Sequence, residues 1–333
     1  MTPLYHLSGY FCYTNSMKTY EKIYLLLAQS TSAISGEELA KGLGISRTAV
    51  WKAIQQLEKQ GLVINAVQNV GYKLIKGDLL VSDWISQQLD LPVHYNPTSR
   101  STQLDAKIGL EKGNSAPAIY LAPNQEAARG RFGRAFFAQA GGIYMTLHLT
   151  PQASFSQVKP YTVLVAAAIV TAINNLTGLQ PQIKWVNDIY LHNKKMAGIL
   201  TEAISSIENQ TVTDMMIGIG LNFHLDHFPK ELENKAGNLF QEVPSITRNE
   251  LIAEIWRVFF TYTDDQLVAI YKENSLVLGK QVSFMENQLA YEGIATAITD
   301  KGELFVRLNS GQEKILSSGE ISLSSWDESS QPQ

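Results

Sequence analysis

Residues 124–134 read Asn124-Gln125-Glu126-Ala127-Ala128-Arg129-Gly130-Arg131-Phe132-Gly133-Arg134. Three arginines interleave with two glycines. Glycine lets backbone N–H groups come close to a ligand. A guanidinium offers forked donors to phosphate or carboxylate. The pattern predicts a mobile anion-binding loop; a basic loop touching nucleic acid is the plainer alternative. It is not a Walker loop, because Gly-x-x-x-x-Gly-Lys-Ser/Thr is absent. Further on, Trp185, Ile189 and Leu191 mix with Lys184, Asn187 and Asp188. Polar groups in a strand pair are ordinarily satisfied core polars, but three together beside a loop suggest a site. Lys194 and Lys195 head the apolar run Met196-Ala197-Gly198-Ile199-Leu200. Gly218 and Gly220, followed by Asn222, clear one strand face for a flat ligand or another backbone. Each signal is weak alone; their combination is specific.

These residues need a scaffold. Strands are expected over 118–122, 142–149, 194–200 and 216–223, with a strand pair over 183–191. Residues 161–176 are apolar on most sides, which predicts a buried helix. Residues 77–92 read as a helical connector, with Ser82 capping 83–88 and Pro92 stopping it. Short β-prone runs at 282–285, 291–298 and 304–308, with the hairpin-type turn Asp300-Lys301-Gly302, form a last unit.

The N-terminal segment differs in charge. Residues 18–76 hold eight basic side chains (Lys18, Lys22, Lys41, Arg47, Lys52, Lys59, Lys73, Lys76) and four acidic ones (Glu21, Glu37, Glu38, Glu58), a net +4 in a chain of net charge −4. Such a block suggests a polyanion-binding module, or simply a solvated helical surface. A helix over 20–28 is followed by Ser35 with Glu38 in capping-box spacing. Gly44 makes a turn, Ser46 caps a helix over 47–60, Gly61 ends it. Val50, Ile54 and Leu57 face inward. Two β-prone runs, 62–66 and 72–75, flank the turn Gln68-Asn69. This is the order of a winged helix-turn-helix. Ser46, Arg47, Thr48, Trp51 and Lys52 fall at the end of the recognition helix that enters a major groove. There arginine can read guanine and lysine can hold phosphate. A winged helix used only for protein contact is the alternative.

Size and composition agree. A chain of 333 residues, 45% hydrophobic and 17% charged, is globular and holds two or three domains. Its longest apolar stretch, 163–173, is short of the roughly 20 residues of a membrane span. Cys12 is the single cysteine, so neither an internal disulfide nor a cysteine zinc site is possible. A reducing, cytoplasmic setting is expected. Residues 1–16 lack the features of an export signal and read as an irregular lead-in, with Met17 a second possible start.

The motifs together resemble those of the bifunctional biotin–protein ligases that also repress the biotin operon. The family's Gly-Arg-Gly-Arg-x-Gly-Arg loop is similar to 128–134, its Lys-Trp-Pro-Asn-Asp to 184–188 and its Lys-Leu-Ala-Gly-Ile-Leu to 195–200. Its Gly-x-Gly-x-Asn is similar to 218–222 and its Gly-Glu-Ile-Ser-Leu to 319–323. The likeness runs from about Lys18 to Leu323. It implies an α+β chain in three parts after a lead-in at 1–17. These are a winged helix-turn-helix DNA-binding domain (18–77), a class II synthetase-like mixed α/β ligase domain (78–276) and an SH3-like β-barrel (277–325).

The resemblance also implies roles. Ser101, Thr102, Gln103, Gln125, Arg129, Gly130, Arg131 and Lys195 would bind biotin. Arg131, Arg134, Lys184, Asn187, Asp188, Asn222 and Glu320 would bind ATP, with Mg²⁺ held through Asp188. Lys195, Arg131 and Asp188 would carry the catalysis. The activity implied is ATP-dependent formation of biotinyl-5′-AMP and transfer of biotin to a lysine of the biotin carboxyl carrier protein of acetyl-CoA carboxylase. Operator DNA and a homodimer favoured by biotinyl-5′-AMP are the implied partners, with no membrane. A ligand-sensing repressor without transfer activity, or a lipoate-type acyl ligase, would share much of the pattern. The chain departs from the family pattern at Ala128 for glycine, Val186 for proline, Gln103 for asparagine and Ser324 where some members have arginine. The stretch 224–242 aligns poorly and has no tryptophan to cover adenine.

Overall fold

The computed structural model describes residues 17–67 and 70–323. The lead-in before Met17, the turn Gln68-Asn69 and Ser324 lie outside the described residues. Two compact units divide the chain. One runs to Asp90 and takes in Thr247–Glu250; the other holds Leu91–Ile246 and the rest from Leu251.

The first unit starts with α1 (Thr19–Ala28), α2 (Gly36–Leu43) and α3 (Arg47–Lys59). Ser35 and Glu38 cap each other's backbone, Gly44 closes α2 in the left-handed region, and Ser46 Oγ accepts from Ala49 N at 3.1 Å. Ile23, Leu26, Val50, Ile54 and Leu57 are buried, as their spacing requires. Strands β1 (Val63–Val67) and β2 (Gly71–Lys76) pair antiparallel. Gly71, at φ +135°, lets β2 pass Ile34, whose carbonyl oxygen would lie 2.2 Å from any Cβ there. Helix α4 (Ser82–Leu89) lies within this unit, and Arg248 and Asn249 join it from later in the chain. The cause is polar. The Arg248 guanidinium Nε donates to Asp78 at 2.8 Å, and the Asn249 amide accepts from Val81 N and donates to Leu79 O, each at 2.8 Å. The cap of α4 is Val81, not Ser82, which is already helical; Asp90, left-handed at φ 52°, ends the helix before Pro92.

The second unit is built on one large sheet. Its strands are β3 (Val93–Tyr95), β4 (Ala118–Ala122), β5 (Ile143–Leu149), β6 (Ala153–Ser154), β7 (Gln182–Lys184), β8 (Asp188–Leu191), β9 (Lys194–Ser206) and β10 (Thr211–Leu221). The order is β3-β4-β5-β10-β9-β8-β7, with β6 beside β10; only β3 and β4 pair parallel. Helix α5 (Thr102–Glu111) covers one face, while α6 (Tyr161–Thr177), α7 (Arg248–Thr261) and α8 (Asp264–Glu273) complete the helices. Alternation along β5 divides the faces. Thr146 Oγ1 donates to Thr102 on α5 at 2.9 Å, whereas its neighbour Met145 meets the Trp256 indole of α7. Helix α6 is buried from Val163 to Val170, matching its all-round apolarity.

Strands β11 (Gln281–Glu286), β12 (Leu289–Ile298), β13 (Leu304–Leu308), β14 (Glu313–Leu316) and β15 (Ile321–Leu323) form a second, fully antiparallel sheet, ordered β14-β13-β12-β11-β15. The expected turn at Asp300-Lys301-Gly302 joins β12 to β13, and its Gly302 carbonyl accepts from the buried Trp185 indole at 2.8 Å. That bond brings the small sheet against the strand pair carrying Asn187 and Asp188. Among the described residues no helix is long and apolar enough to cross a membrane.

Candidate active site

A cleft of about 200 Å³ opens on the α5 face of the large sheet. Its floor is Gly218-Ile219-Gly220 of β10 and Gly198-Ile199-Leu200 of β9, paired across the ladder. The glycines do not leave this face empty. A Cβ on Gly220 would lie 2.5 Å from the Phe136 ring, and one on Gly218 would lie 3.1 Å from the Gln103 amide carbon. The alternation clears room for these two side chains, which then become walls of the cleft.

The Gly/Arg loop forms the roof. Gly130 N donates to Arg134 O at 2.8 Å and Phe136 N to Ala128 O at 3.0 Å, folding the loop into a narrow hairpin. Arg131 points into the cleft wall: its guanidinium donates to Asn187 Oδ1 at 3.1 Å and to Gly319 O at 3.0 Å. Arg134 forks onto the Glu320 carboxylate. Two arginines thus tie the loop to the strand-pair turn and to the last turn before β15.

Lys195 and Asp188 face each other across β8 and β9, Nζ to Oδ1 at 2.6 Å. Gly198 lies beneath the pair, where a Cβ would stand in ordinary contact, 3.4 Å from Lys195 Nζ and 3.6 Å from Asp188 Oδ1. Asp188 and Glu320 are the carboxylates lining the cleft, and Glu320 is already held by Arg134. Among the described residues no group of three or more His, Cys, Asp or Glu gathers. The cleft offers two side-chain carboxylates, Asp188 and Glu320. It fits a Mg²⁺ ion that arrives with phosphates and takes one or two carboxylates from the protein.

Of the residues the sequence singled out, Ser101, Gln103, Gln125, Arg129, Gly130, Arg131, Arg134, Asn187, Asp188, Lys195 and Glu320 all line the cleft. Three others stand behind it. Thr102 is buried, and its N–H donates to Gln125 Oε1 at 2.7 Å, fixing that amide. Lys184 lies over the Tyr190 ring at 5.8 Å; burial holds its ammonium below the usual lysine range, partly opposed by Asp188. Burial also pushes the Tyr190 phenol up to about 12. Asn222 is buried, and its amide donates to Gly237 O at 3.2 Å. Lys195 N donates to Lys235 O, and Gly237 N to Lys195 O, at 2.9 and 3.0 Å. Asn222 therefore fastens the 224–242 segment to the strand end bearing Lys195. Phe136, Ala135 and Gly198 line the cleft without having been singled out for it. Gly198 lay inside the quoted Lys-Met-Ala-Gly run, but Phe136 had no local signal.

In the first unit, Ser46, Arg47, Thr48, Trp51 and Lys52 are all exposed along the start of α3. Trp51 is 54% exposed, too much for a core residue and apt for contact with a partner.

Residues 20–73 match the HTH domain, 97–222 the biotin/lipoate A/B protein ligase family, and 277–324 the biotin protein ligase C terminal domain. The chain is 33% identical to the bifunctional ligase/repressor BirA of Bacillus subtilis, over 85% of this chain and 92% of that protein. It is 30% identical to the bifunctional ligase/repressor BirA of Escherichia coli, over 67% of this chain and 70% of that protein. Among solved structures it is similar to a biotin protein ligase from Aquifex aeolicus in complex with biotin and ATP. The TM-score there is 0.58 at 23% identity, over 70% of this chain and 98% of that one.

Proposed function

The chain belongs to the family of bifunctional biotin protein ligase/repressors, and from that membership we propose how its cleft does the chemistry. It is a biotin–[acetyl-CoA-carboxylase] ligase with an N-terminal helix-turn-helix DNA-binding domain. A carboxylate and an amine do not condense unaided in water. In the first step a biotin carboxylate oxygen bonds to the α-phosphorus of ATP, the bond to the β-phosphate bridge breaks, and pyrophosphate leaves. In the second the unprotonated ε-amine of the carrier lysine bonds to the acyl carbon of biotinyl-5′-AMP. The acyl–oxygen bond breaks, AMP leaves, and the new amide loses a proton.

Both substrates of the first step are anions, so cations must lie between them. Lys195 and Arg131 are those cations, Lys195 at the carboxylate and Arg131 at the phosphate. Asp188 would hold Mg²⁺ together with the nucleotide phosphates, and the ion would neutralise charge at the reacting phosphate. No side chain acts as a covalent nucleophile; position and charge supply the rate. The loop 128–134 excludes water from the mixed anhydride, with Arg131 as its latch. Ser101, Gln103, Gln125, Arg129 and Gly130 hold biotin. Arg134, Asn187 and Glu320 border the nucleotide, with Lys184 and Asn222 supporting from behind. The observation that carries the reading is Lys195 within contact of Asp188 under an arginine-bearing roof.

Ser46, Arg47, Thr48, Trp51 and Lys52 contact operator DNA. Biotinyl-5′-AMP favours a homodimer, which presents two winged helices to a palindromic site. A cytoplasmic setting is part of this reading. The test mixes the protein with biotin, MgATP and a biotin carboxyl carrier domain and weighs the carrier. A gain of one biotinyl group is expected; an unmodified carrier refutes the assignment of roles. Mobility shifts with and without biotinyl-5′-AMP test repression, and equal DNA affinity in both would exclude ligand linkage.

A further inference from the structure

Gln103 sits at the foot of the cleft, 8% exposed, with its amide ends in opposite situations. Its Nε2 is surrounded by oxygens: Glu202 Oε2 at 3.1 Å, Leu200 O at 3.2 Å and Met216 O at 3.5 Å. Its Oε1 is buried and has no protein donor. The amide cannot be reversed, because that would turn a carbonyl oxygen onto three acceptors. Glu202 is itself braced, its carboxylate 3.1 Å from Lys107 Nζ. The bare Gly218 leaves Oε1 its room, standing 3.3 Å from where a Cβ would be. A buried acceptor with no partner is costly, so its presence beside a ligand cleft calls for a donor on the ligand.

We infer that Glu202, held by Lys107, is a positioning residue that fixes Gln103 so that Oε1 accepts a hydrogen bond from a ureido N–H of biotin. The inference rests on the biotin reading. Glu202 touches no substrate: it acts through the charge-assisted bond to Nε2, stronger than the bonds from the two carbonyls. Lys107 keeps the carboxylate aimed. The consequence is selectivity for a ring that carries N–H at that point, since a ligand lacking it strands the carbonyl oxygen.

The experiment is calorimetric titration of the full chain with biotin and with two cyclic carbamate analogues, each replacing one ureido N–H by oxygen. The parent protein is expected to bind one analogue about 10- to 100-fold more weakly than biotin, as for a stranded buried acceptor. Glu202→Ala should weaken biotin about threefold to tenfold, leave that analogue nearly unchanged, and so narrow the ratio. Lys107→Met should move the ratio the same way by less. Unfolding temperature and AMP affinity distinguish damage to the fold from loss of aim, and Glu202→Gln serves if the alanine variant is unstable. A ratio unchanged in these variants, or a parent that accepts both analogues as well as biotin, overturns the inference. A parent that binds no biotin would instead overturn the ligase reading beneath it.

Discussion

Gly220→Ala should damage biotin binding without touching a charged group of the cleft. The added methyl would meet Phe136 Cε1 at 2.5 Å and Cζ at 2.6 Å. Carbon atoms rest at about 3.5–4.0 Å, so the ring must retreat by about 1 Å or more. It cannot retreat freely. Phe136 packs edge-on against Tyr144, centroids 6.4 Å apart, and its backbone N–H is bonded to Ala128 O. Moving the ring therefore pulls on the hairpin that carries Arg129 and Arg131. Overpacking of this kind costs about 1–3 kcal/mol. If the cost falls on the closed, ligand-holding loop, biotin affinity drops by about 5- to 150-fold. Calorimetry with biotin reads this directly, beside the unfolding temperature of the same preparation. Replacing Phe136 by leucine in the Gly220→Ala protein removes the colliding ring edge and should return part of the affinity. The two changes then couple, as contacting residues do. Affinity within about threefold of the parent at an unchanged unfolding temperature would show that the glycine serves no packing purpose.

Three further outcomes follow from the same contacts. Lys195→Ala removes the cation proposed for the biotin carboxylate and breaks its ion pair with Asp188, so pyrophosphate release should slow by about 10²–10³-fold; a near-normal rate would deprive Lys195 of its role. Arg131→Gly cuts the bonds to Asn187 and Gly319, and single-turnover experiments should find biotinyl-5′-AMP free in solution; full retention would disprove the latch. At Glu254 burial pushes the carboxyl up, but bonds from Arg257 and Asn175 outweigh it and hold the group below its ordinary value. A carboxyl held low in the folded state stabilises above its unfolded value, and the gain drains away as pH falls through the folded value. Glu254→Gln should cost about 0.5–1 kcal/mol near neutrality and progressively less as pH falls below the ordinary carboxyl range, measured by denaturant unfolding; a cost that does not fall with pH would exclude the charge as its source.

Much of the scaffold was legible because its apolar residues obey a period. Helix α6 was legible for the opposite reason, being apolar on every side and buried from Val163 to Val170. The caps at Ser35 and Ser46 sit where their side chains can reach Glu38 N and Ala49 N. Helix α5 had no such pattern. Its buried face is Thr102, Gln103, Ala106 and Gly109, while the large apolar Leu104 and Ile108 are exposed. The inversion has a reason: α5 lies on β4 so closely that a Cβ on Gly109 would meet Tyr120 Oη at 1.9 Å. It must also carry Gln103 to the cleft, so polar and small residues go inward. Helix α8 differs, since it opens on a capping box of Thr263 and Gln266 whose spacing is visible in the sequence.

The same distinction runs through the cleft. Residue type marked Arg131, Asp188 and Lys195 for anion chemistry only in combination, because a glycine/arginine loop, an Asn-Asp strand and a lysine-headed strand rarely occur together without a ligand to hold. Role depends on pairing across long stretches of chain, and there type was insufficient. Asn222 and Lys184 belong to matching motifs, yet one binds the Gly237 carbonyl and the other lies on Tyr190. Gln103 and Glu202 are 99 positions apart, and only the register that sets β9 against β10 beneath α5 brings them together. A strand shifted by one residue would turn Gly218 and Gly220 to the opposite face. The ladder of β10 between β5 and β9 is therefore as much a part of the site as the arginines above it.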